Sequence, residues 1–170
     1  MASAIISAIK QYDEYKVLGS EINAEFASSA SKRLGIEVFC DNKKLVNQAN
    51  VIFIATKPNQ VVEVLEGIKD FVSKDKLIVS IAAGVTTSKI ENILAKTRIV
   101  RVMPNTPALV KLGMFGICSG SCAQPADLEF VENLLSSIGK CIVVKENQMD
   151  IVTAISGSGP AFFYQVIEDM

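Results

Sequence analysis

The segment Val51-Ile52-Phe53-Ile54-Ala55-Thr56-Lys57-Pro58-Asn59-Gln60 decides which fold this chain can adopt. Its first five residues are apolar and rich in β-branched side chains, which predicts a strand buried on both faces of a parallel sheet. Pro58 fixes its own φ and favours an extended conformation for Lys57. Because ligands of open α/β sheets bind at the carboxyl ends of the strands, residues 55–58 form a candidate cofactor loop. An ordinary strand-to-helix turn would have the same pattern.

Composition and charge narrow the class of protein. The chain has 170 residues, 49% hydrophobic and 21% charged, so it can bury a globular core. Its 17 Lys and Arg residues balance 18 Asp and Glu residues, without a basic block and without Trp, which argues against a nucleic-acid partner. No apolar run reaches the ~20 residues that cross a bilayer, and no signal-like segment opens the chain. We therefore expect a soluble cytoplasmic protein with no membrane partner.

Cysteine and histidine content limits the possible chemistry. The four cysteines, Cys40, Cys118, Cys122 and Cys141, form no C-x-x-C pair, which predicts reduced thiols packed inside the protein and no metal site. The sequence contains no histidine. This excludes Ser-His-Asp and Cys-His catalysis and an imidazole acid or base from these residues.

Predicted strands and helices alternate along the sequence. Apolar runs predict strands at 15–19, 36–39, 51–55, 77–81, 98–102, 114–118 and 141–144. Helical spacing of apolar residues predicts helices at 2–9, 24–34, 61–71, 86–94 and 125–138, and a short helix capped near Asp41. The alternation predicts an α/β fold with a Rossmann-like, mostly parallel sheet and helices on both faces.

The first predicted helix begins near Ala2 with no strand before it. In a Rossmann-type domain, a strand and a glycine-rich turn lead into such a helix. We therefore expect the sequence to start after that strand and most of that turn, and to end, at Met170, inside a longer helix.

The residues after the strand at 15–19 bear on the choice of cofactor. In dinucleotide-binding folds, the second strand ends at the adenosine ribose, where a carboxylate favours NAD and hydroxyl or basic groups accommodate the 2′-phosphate of NADP. Glu21 favours NAD, whereas Ser20, with Lys32 and Arg33, favours NADP. Glu21 is equally well explained as a solvated residue that complements the dipole of the following helix.

Two further loops are predicted at the same sheet edge. Ala82-Ala83-Gly84 follows a strand, and small residues there permit a flat ligand to approach the backbone, although tight helix-to-sheet packing would also select them. Met103-Pro104-Asn105-Thr106-Pro107 follows the next strand, and its prolines would hold the Asn105 amide rigidly against a ligand or simply redirect the chain.

The segment Ile155-Ser156-Gly157-Ser158-Gly159-Pro160-Ala161 is where the character of the sequence first changes. It precedes an apolar helix with Phe162, Phe163, Val166 and Ile167, so we expect a domain boundary here. Exposed N–H groups at the start of that helix would bind a carboxylate or phosphate.

Four motifs, in this order and at these intervals, resemble pyrroline-5-carboxylate reductase: Ala55–Pro58, Ala82–Thr86, Met103–Pro107 and Ser156–Ala161. The resemblance covers essentially all 170 residues. It implies an NAD(P)H-dependent reductase that makes L-proline from 1-pyrroline-5-carboxylate, the last step of proline biosynthesis. It also implies that the first strand with most of its glycine turn, and most of the helical C-terminal domain, lie outside this sequence.

The resemblance implies roles residue by residue. Contacts with NADP, or with NAD, are implied for Ser20, Asn42, Ala55, Thr56, Lys57, Pro58, Ala82, Ala83, Gly84 and Asn105. Of these, Ser20 and Asn42 would lie near the adenosine half, and the others near the nicotinamide and its ribose. Pro104, Asn105 and Thr106 are implied to border the imine substrate. No residue is assigned as a general acid.

The resemblance also implies a division of the chain and a partner. Residues 1–154 would form the NAD(P)-binding domain, and residues 155–170 would begin the helical dimerisation domain of a homo-oligomer built on dimers. Two other functions stay open: another reductase of this class, such as a hydroxyacid dehydrogenase or imine reductase, or a non-catalytic nucleotide-binding module.

Overall fold

The computed structural model describes residues 1–170 and contains seven strands and eight α-helices. The strands are β1 (Leu18–Ser20), β2 (Glu37–Phe39), β3 (Val51–Ile54), β4 (Leu77–Ser80), β5 (Arg98–Met103), β6 (Gly113–Ser119) and β7 (Gly139–Val143). The helices are α1 (Ala2–Ile9), α2 (Ala24–Leu34), α3 (Asn42–Gln48), α4 (Val61–Ile68), α5 (Thr87–Glu91), α6 (Pro125–Leu135), α7 (Met149–Val152) and α8 (Gly159–Asp169). None of these helices combines the length and apolar character that crossing a membrane requires.

The main sheet has five strands in the order β3-β4-β5-β6-β7. Neighbouring strands are parallel except β5 and β6, which are antiparallel. Ile54, Ser80 and Arg101 lie side by side in register, so β3, β4 and β5 approach the same edge together. The predicted α/β fold with a mostly parallel, Rossmann-like sheet is confirmed.

The first two strands form a separate parallel pair, a division that the sequence pattern did not reveal. β1 pairs only with β2, and β3 pairs only with β4. Both β1 and β3 are therefore edge strands with one side that has no backbone partner. Apolar periodicity reports which faces of a strand are buried, but it carries no information about which strands pair.

Helices cover both faces of the five-stranded sheet and bury two separate clusters of apolar side chains. On one face, Ile5 and Ala8 of α1 and Val131 and Leu135 of α6 pack against the sheet. On the other face, α3, α4 and α5 contribute side chains such as Val46, Leu65 and Ile90. Burying each Val, Leu or Ile side chain contributes roughly 1.5–3 kcal/mol, so the two clusters fix the layers.

Side-chain caps explain where several helices begin. Asp41 accepts a hydrogen bond from the Lys43 N–H at the start of α3. Thr86 accepts one from the Lys89 N–H at the start of α5. Both caps were predicted from the sequence, because Asp and Thr oxygens satisfy the free N–H groups of a first helical turn.

The end of the chain is one continuous helical segment. α7 passes into a π-helical stretch, Thr153–Ser158, which passes into α8. The prediction that a helix starts after the Gly-Ser-Gly-Pro sequence was therefore wrong, and this sequence lies inside the helical segment. Two glycines permit its packing: a Cβ on Gly116 would lie 2.7 Å from Val152 Cγ1, and one on Gly157 would lie 2.8 Å from Met103 Cε.

A buried charge lies in the central strand of the main sheet. Arg101 of β5 is only 1% exposed and forms an ion pair with Glu146, which precedes α7. The other carboxylate oxygen, Glu146 Oε2, accepts hydrogen bonds from the Thr87 N–H (3.2 Å) and hydroxyl (2.7 Å) and from the Cys118 thiol (3.4 Å). One carboxylate thus joins β5, β6 and the start of α5 to the helical segment.

The protonation of Glu146 links this cluster to pH. Burial acts to raise the pKa of Glu146, but the hydrogen bonds from Thr87 and the interaction with Arg101 outweigh it and hold the pKa below its ordinary value of 4.5. A carboxyl group whose pKa is lower in the folded state stabilises the fold above the unfolded-state pKa. That stability is lost as the pH falls through the folded-state pKa.

We expect Glu146→Gln to lower the free energy of unfolding at pH 7 by about 1–3 kcal/mol, because the buried guanidinium loses its charged partner. The difference from wild type should be smaller at pH 3 than at pH 7, since the stability that the Glu146 carboxylate contributes begins to be lost below its unfolded-state pKa. Urea denaturation at both pH values measures this. Glu129→Gln, the same charge change at an exposed position of α6, is the control. If Glu146→Gln lowered the free energy of unfolding equally at both pH values, the charge of Glu146 would not be the source of the stabilisation.

Candidate functional site

The candidate site lies at the carboxyl edge of the main sheet. The Ile81 N–H donates to the Ile54 carbonyl at 3.1 Å, so the chain leaves β3 and β4 side by side. The predicted loops 55–58 and 82–84 therefore follow neighbouring strands at the same edge. The loop 103–107 leaves the next strand, β5, at this edge as well.

The loop at 55–58 is exposed to solvent, as is the turn Pro58–Gln60 that leads into α4. Lys57 has φ −61° and ψ 147°, the extended conformation that was predicted from the following proline. Its side chain takes part in no hydrogen bond or ion pair within the protein. This loop therefore offers a fixed backbone and one free ammonium group.

The loop at 82–84 changes from buried to exposed along its length. Ala82 is 3% exposed and belongs to the apolar cluster under the sheet, whereas Gly84 is exposed. Gly84 has φ +69°, a left-handed conformation that favours glycine. A Cβ at Gly84 would have no heavy atom within 4 Å, so open space adjoins the backbone here. Ala82 thus serves packing, and Gly84 leaves room for a ligand.

Ser20 and Asn42, both predicted near an adenosine group, lie in contact. The Ser20 hydroxyl donates to Asn42 Oδ1 at 2.7 Å, joining the last residue of β1 to the first residue of α3. Glu21 accepts a hydrogen bond from the Asn23 N–H at 3.1 Å, so its carboxylate is directed to the start of α2. This geometry favours the role of Glu21 as a residue at the entry of the helix.

Asn105 connects two of the predicted motifs. Its side chain is nearly buried, its Oδ1 accepts from the Met114 N–H at 3.0 Å, and its Nδ2 donates to the Ser156 hydroxyl at 3.1 Å. A side-chain amide has two donor hydrogens and two acceptor lone pairs, so one of each is still free. Asn105 therefore fixes the loop 103–107 to the helical segment and keeps limited capacity for a ligand.

The neighbours of Asn105 make a second connection to the helical segment. Pro104 is buried, whereas Thr106 is exposed, and the Thr106 hydroxyl lies 3.3 Å from the Tyr164 hydroxyl of α8.

Because Ser156–Ala161 lies within continuous helical backbone, it provides no helix start with free N–H groups. The expectation of anion binding at such a start was wrong, for the reason that the helical segment already begins at Met149.

The four thiols are free, but they are not uniformly packed inside. Cys118 is buried and Cys141 half-buried, whereas Cys40 and Cys122 are exposed, which corrects the expectation for the last two. Burial, with the negative charge of Glu146, raises the pKa of Cys118 to about 12. Burial, with the charge of Glu132, raises that of Cys141 to about 11. Neither is a thiolate nucleophile at neutral pH.

The sequence reasoning missed Arg101, Glu146 and Thr87. One signal was present: Arg101 lies between the apolar residues Val100 and Val102 in the interior of a strand, and a charge at a buried position requires a partner. The identity of that partner, 45 residues further along the chain, could not be read from the pattern.

Comparisons with known proteins identify the family that the chain resembles. Residues 1–84 match the family model described as "NADP oxidoreductase coenzyme F420-dependent", and residues 146–170 match the one described as "Pyrroline-5-carboxylate reductase dimerisation". The pyrroline-5-carboxylate reductase of Methanosarcina acetivorans is 41% identical over 152 residues, which are 89% of this chain and 56% of that protein.

Two solved structures extend the similarity to the fold. A pyrroline-5-carboxylate reductase from Coxiella burnetii has a TM-score of 0.90 and 32% identity, covering 99% of this chain and 64% of that one. The Plasmodium falciparum pyrroline carboxylate reductase with NADP bound has a TM-score of 0.85 and 33% identity, covering 98% and 62%. The chain thus spans between half and two thirds of these relatives. Within that span, it is similar to pyrroline-5-carboxylate reductases along almost its whole length, which confirms the family that its four motifs indicate.

Proposed function

We propose that this chain carries the dinucleotide-binding part of an NAD(P)H-dependent reductase that converts 1-pyrroline-5-carboxylate to L-proline. The observation that supports this best is the hydrogen bond from Asn105 to Ser156. It joins a loop at the ligand edge of the sheet to the region similar to the dimerisation model, residues 146–170. A site formed between these two parts suits a cofactor on one side and a small substrate on the other.

The residues at the edge fit a dinucleotide. The open space beside Gly84 and the exposed backbone of 55–58 suit a flat ring and its ribose. The hydroxyl–amide pair Ser20–Asn42 lies at the carboxyl ends of the first two strands, where an adenosine group is bound in this type of fold. We propose these residues as the cofactor contacts, with Pro104, Asn105 and Thr106 bordering the substrate.

We propose NADP as the cofactor, with NAD possible. Ser20 places a hydroxyl group at the end of β1, and the Glu21 carboxylate, the group that would favour NAD, accepts a hydrogen bond from the Asn23 N–H at the start of α2. The relative from Plasmodium falciparum, 33% identical, was solved with NADP bound.

The proposed reaction suits a site without histidine. The reduced nicotinamide, when bound, supplies a hydride. Addition of that hydride to the carbon of a protonated cyclic imine gives the ring amine of proline directly, so this step requires no proton donor from the protein. The residues at the edge then act by orienting two rings and excluding water. We accordingly propose no general acid.

Three further points accompany this proposal. We propose residues 1–154 as the NAD(P)-binding domain and residues 155–170 as the start of the helical dimerisation domain. A homo-oligomer is proposed on the basis of the match at 146–170. A cytoplasmic location stays a prediction.

The first test compares cofactor binding with turnover. We expect the chain to bind NADPH more tightly than NADH in a fluorescence titration. We expect NADPH oxidation with pyrroline-5-carboxylate in a chimera whose regions beyond the matched 152 residues come from the Methanosarcina acetivorans relative. Absorbance of the reduced nicotinamide follows the reaction.

Three results of this test would change the proposal. Nucleotide binding without turnover in the chimera would reject the substrate and leave a binding module. Turnover only with a hydroxyacid and NAD(P)⁺ would favour a dehydrogenase. Tighter binding of NADH than NADPH would reject NADP as the preferred cofactor.

Asn105→Ala tests the connection between the loop 103–107 and the helical segment. We expect it to lower the free energy of unfolding by about 1–3 kcal/mol, because the Met114 N–H loses its acceptor. We also expect turnover in the chimera to fall more than NADPH affinity. Asn47→Ala, on the exposed surface of α3, is the matched control. A variant that behaves like this control would show that Asn105 does not connect the loop to the helical segment.

The apolar surface of α8 predicts self-association. Phe162, Phe163 and Ile167 are 73%, 71% and 67% exposed, which is unusual for an isolated monomer. Sedimentation velocity should therefore show association that rises with concentration, and Phe163→Glu should weaken it. Gln165→Glu adds the same charge to a polar position of α8 and should not. A monodisperse monomer at high concentration would contradict the prediction.

A further inference from the structure

We propose that Glu146 is a positioning residue whose carboxylate holds two segments of the candidate site in a fixed relation. The first segment is the loop 82–86 before α5, and the second is the helical segment 149–161. The functional importance of this relation rests on the function proposed above, but the physical coupling does not.

The first step of the argument is the contact with α5. Thr87, the first residue of this helix, is 6% exposed and donates both its N–H and its hydroxyl to Glu146 Oε2. A negative charge at this end of a helix is also favoured by the helix dipole. Because Thr87 directly follows the loop 82–86, the carboxylate fixes the end of that loop.

The second step is the anchor of the carboxylate itself. Glu146 Oε1 forms the ion pair with Arg101. The buried Nη2 of Arg101 has no hydrogen-bond partner. It lies 3.8 Å from Oδ1 of Asp150, the second carboxylate near this guanidinium. The side chain of Asp150 is 88% exposed, so it substitutes poorly for Glu146. A buried guanidinium that loses its partner carries a large desolvation cost. The carboxylate is therefore held firmly on the central strand.

The third step is the rigid connection from Glu146 to the second segment. A single turn, Glu146–Gln148, leads into α7, and the backbone then stays helical through Ser156 to α8. Met149 is fully buried, and Val152 packs where Gly116 leaves space. No flexible loop separates the carboxylate from Ser156, so the place of Glu146 determines where Ser156 meets Asn105.

These contacts distinguish positioning from general stabilisation. Loss of the carboxylate should release both segments locally, whereas loss of only the contact with Thr87 should release the loop 82–86 and leave the helical segment in place. Glu146→Gln removes the charge that Arg101 requires. Thr87→Val removes the hydroxyl donor and keeps the N–H donor, so it weakens only the contact with Thr87 and changes the shape of the side chain little.

Hydrogen exchange measured by mass spectrometry on the complete chain tests the coupling. In Glu146→Gln, we expect exchange to rise about tenfold in peptides covering both 82–90 and 149–161, the change produced by ~1.4 kcal/mol of lost local stability. In Thr87→Val, exchange should rise in 82–90 alone. Glu129→Gln should leave both regions unchanged. Peptides from α3 and α4 report whether a variant unfolds globally.

A kinetic measurement in the active chimera adds a readout that a purely structural role would not move. Glu146→Gln should lower kcat about tenfold while the KM for NADPH changes by less than about threefold, because alignment is lost and binding is kept. The effect of deuterium at the transferred position of NADPH should increase as hydride transfer becomes slower.

Each result decides a separate question. In Glu146→Gln, a rise in exchange in the peptides of α3 and α4 as large as the rise in the two regions, or a rise in only one of the two regions, would overturn the coupling. Intact coupling with unchanged kcat would overturn the positioning role. A wild-type chimera without reductase activity would reject the proposed function, and the exchange data alone would then decide whether Glu146 joins the two segments.

Discussion

The burial of Arg101 in the central strand is the constraint on which the arrangement of this structure depends. Removing a guanidinium from water is costly unless a carboxylate accompanies it, and here that carboxylate comes from Glu146. The acceptor capacity of the carboxylate that Arg101 does not use is taken by Thr87 and Cys118. A single ionic requirement in the sheet therefore holds the first residue of α5 and the helical segment close to β5.

The loops at the carboxyl edge depend on this framework, because residues 55–58 and Gly84 make few contacts that would hold them in place. Residues 55–58 are exposed and stiffened mainly by Pro58, and Gly84 lies in open space. Their relative placement comes from the register of β3, β4 and β5 below them and from the hydrogen bond between Asn105 and Ser156. Backbone geometry set by the sheet, and not a cluster of reactive side chains, defines this edge.

Local patterns predicted the elements well where the determining interactions are local. The bounds of α2 and the caps of α3 and α5 follow from spacing and from single oxygen atoms near their own backbone. The separation of β1 and β2 from the main sheet is a question of pairing, which periodicity does not encode. The helical path through Gly157 and Gly159 was missed because packing against Met103 and β6 overrides the low helix propensity of glycine. The roles of the individual residues at the edge stay predictions.

The chemical character of the four motifs explains why a motif in the sequence can indicate a reaction without a catalytic side chain. Among residues 55–58, 82–86, 103–107 and 156–161, only Lys57 ionises, and its side chain forms no hydrogen bond or ion pair within the protein. Such a set cannot transfer protons through a buried acid or base. These residues can hold a ring, let a ligand approach their backbone closely and fix a hydroxyl group. Hydride addition to an imine that is already protonated is a reaction for which these capacities suffice, because its barrier depends mainly on the distance and angle between two rings.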